Sequence, residues 1–403
     1  MLKTGLILAF ASLCGFLANF VFSAVLDKLA YGELAAVFAI VSILALVAPL
    51  GTNAYSLTNP THYERHANAT VVVPSLIATT IGLALFLQNM SLPYFALVTM
   101  LVASTLSVQG IMACQIKKNG PGAAIFQSIQ SFIKICAALV AVVLFFTDLS
   151  HNNRNYALFF TLAALSALAI PLILKHLIDA KRGGPVISLN FFKELEKKER
   201  KRLLSFWLSS NLGTAYSLGI IPLVAYFHGK EYAAYLGIYF IYWSGANILI
   251  NIVINHHYWP RYCSAQSQEL NARPLLVRSL VATVTASILV YCALTLTTLF
   301  FSERLWPEYA DLQSFLLITT CAVSIRILSA WLSMMILSFG DLIVRKTKVQ
   351  FFILLAMLVA VPALNEPSYA TIGWLVFSLE TTYFLAYVLS SAKPLHKKLI
   401  KQK

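Results

Sequence analysis

Long apolar runs, separated by short polar turns, recur along the whole 403-residue chain and leave very few folds open to it. A run of about twenty apolar residues crosses the ~30 Å hydrocarbon core of a bilayer as an α-helix. Only helices and closed barrels satisfy their backbone groups there. The pattern predicts twelve spans, at residues 4–26, 34–56, 71–87, 94–116, 124–146, 156–179, 203–226, 233–257, 279–301, 313–339, 349–363 and 370–391. With 59% hydrophobic and 11% charged residues, the chain reads as an all-α polytopic membrane protein.

The net charge of +14 would suit a nucleic-acid partner, but its placement argues for a membrane instead. Of the 30 Lys and Arg, four (Lys28, Arg154, Lys230 and Arg304) fall in turns on one side. Three more (Lys134, Lys175 and Arg326) fall inside spans, and the rest lie on the other side. By the positive-inside rule that basic side is cytoplasmic, which puts both termini in the cytoplasm. The excess charge then faces anionic lipid, and no nucleic acid is expected. Met1-Leu2-Lys3 and the long apolar run after it are expected to be an uncleaved first span. The six cysteines (14, 114, 136, 263, 292 and 321) lack C-x-x-C spacing and read as small core residues. No P-loop, Rossmann fingerprint, H-E-x-x-H or G-x-S-x-G occurs. No cofactor or metal is therefore expected, and any driving force would come from an ion gradient.

The longest polar connection, 180–202, is strongly basic and divides the chain into halves of six spans. The expected domains are a six-helix bundle at 1–179, the linker 180–202, a second six-helix bundle at 203–392 and a basic tail at 393–403. Asn190–Arg202, with Phe191, Phe192 and Leu195, suits either a short helix on the membrane face or a solvated linker. The halves echo each other. Tyr31-Gly-Glu-Leu-Ala-Ala opens the second span, and Tyr232-Ala-Ala-Tyr-Leu-Gly opens the eighth in the same way. An even number of spans per half makes the repeat parallel, with a substrate path expected between the halves.

Charge inside a span costs ~2.5–3.5 kcal/mol on insertion scales, so Lys134 and Arg326 are the strongest functional clues. Gln127, Ser131 and Lys134 share one face of the fifth span, which lines either a wet cavity or a hydrogen-bonded helix contact. The tenth span carries Thr319, Arg326, Ser329 and Ser333. A guanidinium matches phosphate oxygens bidentately, but Arg326 equally suits a buried pair with Glu380, the one carboxylate deep in a span. Burial favours neutral Glu380 and a nearby guanidinium favours its charge, so Glu380 suits either coupling-ion duty or a static partnership. Ser378, Thr381 and Thr382 would supply further oxygens. In the eighth span Tyr235, Tyr239, Trp243, Asn247, Asn251 and Asn255 recur every four residues. Rings and amides of this kind suit sugars, and they equally suit a membrane interface and helix contacts.

Two stretches carry a resemblance to a known family: Leu26-Asp-Lys-Leu-Ala-Tyr-Gly-Glu-Leu-Ala-Ala-Val-Phe-Ala-Ile and its second copy Phe227-His-Gly-Lys-Glu-Tyr-Ala-Ala-Tyr. Trp259-Pro-Arg-Tyr and the stretch 336–340 add to it. Together these resemble the multidrug/oligosaccharidyl-lipid/polysaccharide exporter superfamily, most closely its Wzx-type O-antigen and polysaccharide flippases. Asp27 stands where the resemblance has glycine, and the first span has no arginine. The resemblance implies a V-shaped pair of six-helix bundles working by alternating access, with a polyprenyl-pyrophosphate-linked oligosaccharide as cargo. It also implies the bacterial cytoplasmic (inner) membrane, contact with membrane lipids, H+ or Na+ coupling, and other polysaccharide-assembly membrane proteins as partners. On that reading the substrate-binding residues are Lys134, Arg326, Gln127, Ser131, Asn247, Asn251, Asn255 and Trp243, with Glu380 as the ion-coupling residue. Two alternatives stand beside it: an ion-coupled multidrug exporter and a membrane glycosyltransferase or polymerase. The second needs paired acids on sizeable external loops, whereas the outer carboxylates here (Asp27, Glu33, Asp148, Glu231, Glu303, Glu308, Asp311 and Glu366) are scattered over short turns.

Overall fold

The computed structural model describes residues 2–49, 69–116, 119–147, 150–179, 197–250, 254, 257–259, 261–262, 273–309, 311–337 and 342–400. Among them are twelve α-helices and no strand. In chain order these are α1 (Leu2–Val25), α2 (Lys28–Val47), α3 (Ala69–Asn89), α4 (Leu92–Ile116), α5 (Gly120–Phe145) and α6 (His151–Asp179). They continue with α7 (Lys197–Phe227), α8 (Lys230–Ile250), α9 (Arg273–Leu305), α10 (Leu312–Trp331), α11 (Leu342–Ala363) and α12 (Tyr369–Ile400). Among the described residues nine helical spans are long and apolar enough to cross a membrane, α5, α10 and α12 among them. The chain is a multi-pass membrane protein. Every predicted span has its helix, and α12 runs on into the basic tail.

The chain divides into two compact units, Met1–Pro222 and Leu223–Lys403. In the first, α4 forms the centre, packed by α2, α3, α5 and α6, while α1 lies along α5. Leu106, Met112 and Ala113 of α4 meet Phe126 of α5 and Ile173 and Leu177 of α6 in one apolar cluster. In the second unit α10 holds the centre, packed by α8, α9 and α12, with α11 against α12. The opposite faces carry large exposed apolar side chains, among them Phe132, Leu139 and Val143 on α5 and Phe352 and Val359 on α11. Such faces are stable in lipid, where exposed hydrocarbon is not penalised.

The echoed turns have related geometry. Two residues, Leu26 and Asp27, join α1 to α2, and two, His228 and Gly229, join α7 to α8. Asp27 caps α2 by accepting a hydrogen bond from the Ala30 amide at 2.9 Å. At the second turn the left-handed backbone (φ 103°) falls on Gly229, which has no Cβ to resist it. At the far end of α10 the helix widens into a π turn over Leu332–Ile336. The residues 180–196 of the basic connection, and with them Phe191, Phe192 and Leu195, lie outside the described residues. Among the described residues Cys14, Cys114, Cys136, Cys292 and Cys321 form no disulfide, and Cys263 also lies outside the described residues.

Helix approach in the first unit depends on one missing side chain. A Cβ added at Gly110 of α4 would overlap the ring of Phe126, itself buried. Gly110→Ala is expected to cost about 1–3 kcal/mol by overpacking, read as a lower melting temperature of the detergent-purified protein. An unchanged melting temperature would mean that the ring moves aside freely.

Candidate functional site

Two clusters of polar side chains sit at membrane depth, one in each unit. The first belongs to α5. Its apolar residues Ile125, Phe132 and Leu139 are exposed on one side, and Lys134 projects from another. The Lys134 ammonium lies 4.0 Å from the centre of the Phe38 ring of α2, a cation–π contact. Phe38 in turn packs on Phe22 of α1, with ring centres 6.0 Å apart. One turn back, Ser131 lies so close to α1 that a Cβ on Gly15 would sit 3.1 Å from its hydroxyl. Gln127 is exposed, while Ser131 and Lys134 are half-buried. Gln130 points elsewhere, and its amide donates to the Ser104 hydroxyl of α4. Gln130 is thus helix glue, whereas Gln127, Ser131 and Lys134 form the polar face predicted for this span. Among the described residues no carboxylate pairs with Lys134.

The second cluster surrounds Arg326 of α10. Its Nη1 lies 3.1 Å from Oε1 of Glu380 on α12, both side chains being almost wholly buried. The same nitrogen donates to the Tyr239 hydroxyl of α8 at 3.3 Å. The guanidinium carbon also lies 4.3 Å from the Trp243 ring and 5.5 Å from the Phe240 ring. A cation, a carboxylate, a phenol and two ring faces therefore share one buried site built from three helices. Of the two readings open for Arg326 in the sequence, this structure holds the ion pair.

The remaining predicted residues divide between roles. Thr319 and Ser329 are buried, but their hydroxyls bond carbonyls of their own helix. Asn247 is half-buried, and Asn251 and Asn255 lie outside the described residues. Ser378 and Thr382 are exposed, and Thr382 donates to the Ser378 carbonyl at 2.8 Å. They stand apart from the Glu380 carboxylate, so the oxygen ligands anticipated from these two residues are not gathered there. Thr381 has a buried hydroxyl without a partner among the described residues. No group of three or more His, Cys, Asp or Glu able to hold a metal occurs among the described residues.

The stripe on α8 serves two ends. Tyr239 and Trp243 face Arg326. Tyr235 stacks on Tyr369 of α12 with centres 4.0 Å apart and 13° between planes, and packs on Tyr309 and Phe315. Beyond it an open pocket of about 660 Å³ is lined by Phe227, His228, Tyr232, Asn365 and Glu366 among others. Its walls are held by Tyr232 donating to the Pro367 carbonyl at 2.7 Å and by a 2.8 Å bond between His228 Nε2 and the Val361 carbonyl.

Sequence reading missed Tyr383, Tyr387 and Gln350. Gln350 of α11 is buried and donates to the Tyr383 hydroxyl at 3.5 Å, and the hydroxyls of Tyr383 and Tyr387 are 2.5 Å apart. Their spacing from Glu380, three and seven residues, was the available signal.

No family model matches this sequence, and no curated protein matches it. Solved structures do. An inward-facing multidrug resistance MATE family transporter of the MOP superfamily is similar at TM-score 0.64 and 13% identity, covering 97% of this chain and 96% of that one. The lipid II flippase MurJ, in an inward closed conformation, is similar at TM-score 0.62 and 11% identity, covering 99% and 90%. The MATE multidrug transporter DinF-BH gives TM-score 0.58 and 10% identity over 100% and 95%. The chain has the twelve-helix fold of these transporters and flippases. That fold does not by itself name a cargo.

Removing one partner of the buried pair leaves an uncompensated charge, which costs about 3–5 kcal/mol, whereas replacing both with apolar residues is often neutral. Glu380→Gln alone is therefore expected to lower the melting temperature clearly, and the double variant Arg326→Met with Glu380→Leu to recover most of the loss. Additive losses in the double variant would contradict the pairing.

Proposed function

We propose that this protein is an alternating-access flippase. It moves a polyprenyl-pyrophosphate-linked oligosaccharide (an O-antigen, capsule or exopolysaccharide repeat unit) across the bacterial cytoplasmic membrane. The observation that carries this reading is Lys134, a half-buried cation at membrane depth resting on an aromatic ring, with no carboxylate beside it among the described residues. A lone ammonium in hydrocarbon is costly. It is best explained by an anion that comes and goes, and a pyrophosphate on a lipid is such an anion. The fold shared with MurJ, whose name gives it as a lipid II flippase, supports this reading. Gln127 and Ser131, on the same face, supply hydrogen bonds to phosphate or the first sugar. Arg326 and Trp243, with Asn247, Asn251 and Asn255, contribute the second unit's contacts. Glu380 reads the H+ or Na+ gradient, and other polysaccharide-assembly membrane proteins supply and receive the lipid.

A multidrug exporter is the second reading, favoured by the MATE fold. An exporter of cationic drugs needs a carboxylate that a cation can reach. Here Glu380, the carboxylate at membrane depth, is buried against Arg326. We therefore place the drug-exporter reading second.

In proteoliposomes, the protein is expected to move a fluorescent polyprenyl-pyrophosphate oligosaccharide between leaflets. Loss of a charge-assisted contact worth ~1.5–3 kcal/mol should slow Lys134→Ala about tenfold to a hundredfold, with partial rescue by Lys134→Arg. Lipid movement that is the same with and without the protein, alongside export of cationic dyes, would overturn the flippase in favour of the drug exporter.

A further inference from the structure

Glu380, Tyr383, Tyr387 and Ser391 fall at spacings of three, four and four along α12, so they share one face of the helix. All four are buried, at 3%, 8%, 0% and 1% exposure. The Tyr383 and Tyr387 hydroxyls are 2.5 Å apart, and either atom can be the donor. Gln350 of α11 donates to Tyr383. Gln350 and Ser333, the latter within the π turn that follows α10, also interact with the Tyr387 hydroxyl. Ser391 has a buried hydroxyl without a partner among the described residues. Lys346, half-buried, lies one turn before Gln350 on the α11 face that carries the buried residues Gln350, Ile353 and Met357. A line of groups with exchangeable protons thus leads from the Arg326–Glu380 pair toward the basic end of the bundle.

Phenylalanine would fill nearly the same space without the cost of burying a hydroxyl away from water. A single bond between helices would also serve as glue. Neither accounts for two hydroxyls in contact, bonded onward to two other helices and aligned with the deep carboxylate. The π turn adds to the case, because such turns recur at functional sites.

We infer that this line is a proton path that loads Glu380 from the basic side, which the positive-inside rule makes the cytoplasm. A proton arriving from water near Ser391 and Lys346 bonds to the Tyr387 oxygen as the proton of Tyr387 passes to Tyr383. The proton of Tyr383 then crosses one helical turn, directly or through a water, to the Glu380 carboxylate. Only O–H bonds form and break, and rotation of the two hydroxyls resets the line. One proton has moved from water to Glu380, which becomes a neutral acid and loosens its hold on Arg326. The titratable and charged groups facing the line from packed elements are Arg326 from α10, Tyr239 from α8 and Lys346 from α11. The inference rests on the proposed function only in taking Glu380 as the group that is loaded.

The test uses full-length protein in detergent, with no lipid cargo. A pH jump is followed by infrared difference spectroscopy of the protonated-carboxyl band, assigned by its loss in Glu380→Gln. Tyr387→Phe and Tyr383→Phe are expected to slow the appearance of this band at least tenfold while leaving its final size unchanged, and the wild-type rate should fall in D₂O. A purely structural role would lower the melting temperature without slowing protonation. Unchanged rates in folded phenylalanine variants would overturn the path. Should either variant not fold, Ser391→Ala and Ser333→Ala serve instead, and unchanged rates in both would equally overturn it. If no Glu380 band titrates at all, loading fails, but the flippase reading stands or falls separately on lipid movement.

Discussion

A guanidinium and a carboxylate 3.1 Å apart, deep within helices α10 and α12, set the terms on which the second unit is built. Neither charge is tolerable alone in a medium of low dielectric. The two helices must therefore meet at this height, and α8 must bring Tyr239 and Trp243 to cover the cation. The pair acts as a register pin of a kind that apolar packing between lipid-facing helices cannot supply, because leucine on leucine in a bilayer is no better than leucine on lipid. The two-residue turn at Gly229 follows from the same demand, since it holds α8 beside the end of α7 and aims its aromatic stripe inward.

The first unit meets the same constraint differently. Its buried core is a cluster of large apolar side chains, Leu106, Met112, Phe126, Ile173 and Leu177 among them, around which small residues and short hydroxyls let the helices approach. Gly110 lets the Phe126 ring lie against α4, and Ser104 accepts from Gln130 across the same contact. Lys134 stands outside this pattern, with a ring face and, among the described residues, no carboxylate for company. Cation–π contact offsets about 0.5–2 kcal/mol, short of the cost of an ammonium at membrane depth. The difference between the units is thus a difference in what is left over: a compensated charge in one, an uncompensated one in the other.

Much of this was legible in the sequence, for a physical reason. Hydropathy reports directly on the bilayer, so all twelve helices could be found, although their ends differ from the predicted spans by up to nine residues, and the echoed turns at Asp27 and Gly229 followed from their shared wording. Helical period put Gln127, Ser131 and Lys134 on one face, and depth within an apolar span singled out Glu380, for ion coupling or for partnership with Arg326. What period does not report is which neighbour a face meets. Gln130 stands beside that face yet turns to α4, and Ser378 and Thr382 lie near Glu380 in sequence but on another side of the helix. Tyr383 and Tyr387 were passed over because tyrosine in an apolar span reads as bulk until a partner hydroxyl is seen 2.5 Å away. The finer residues of the eighth-span stripe, Asn251 and Asn255, lie outside the described residues.

In the proposed cycle the contrast between the two cations becomes a coupling. An anion reaching Lys134 displaces a ring contact and nothing charged. An anion reaching Arg326 must either displace Glu380 or arrive after Glu380 has become neutral. Anion binding at Arg326 and protonation of Glu380 are then linked, and linkage is reciprocal: whatever factor one applies to the other's affinity is returned in full. A carboxylate held by a charged partner is protonated reluctantly, and one whose partner is engaged by phosphate is protonated readily. Cargo in the second unit would thus favour proton uptake, and proton release would favour cargo release, with no further moving part than the pair itself. The order of events follows from burial. In the proposed cycle the half-buried Lys134 meets the anion first, and the almost wholly buried Arg326 only after the pair has opened.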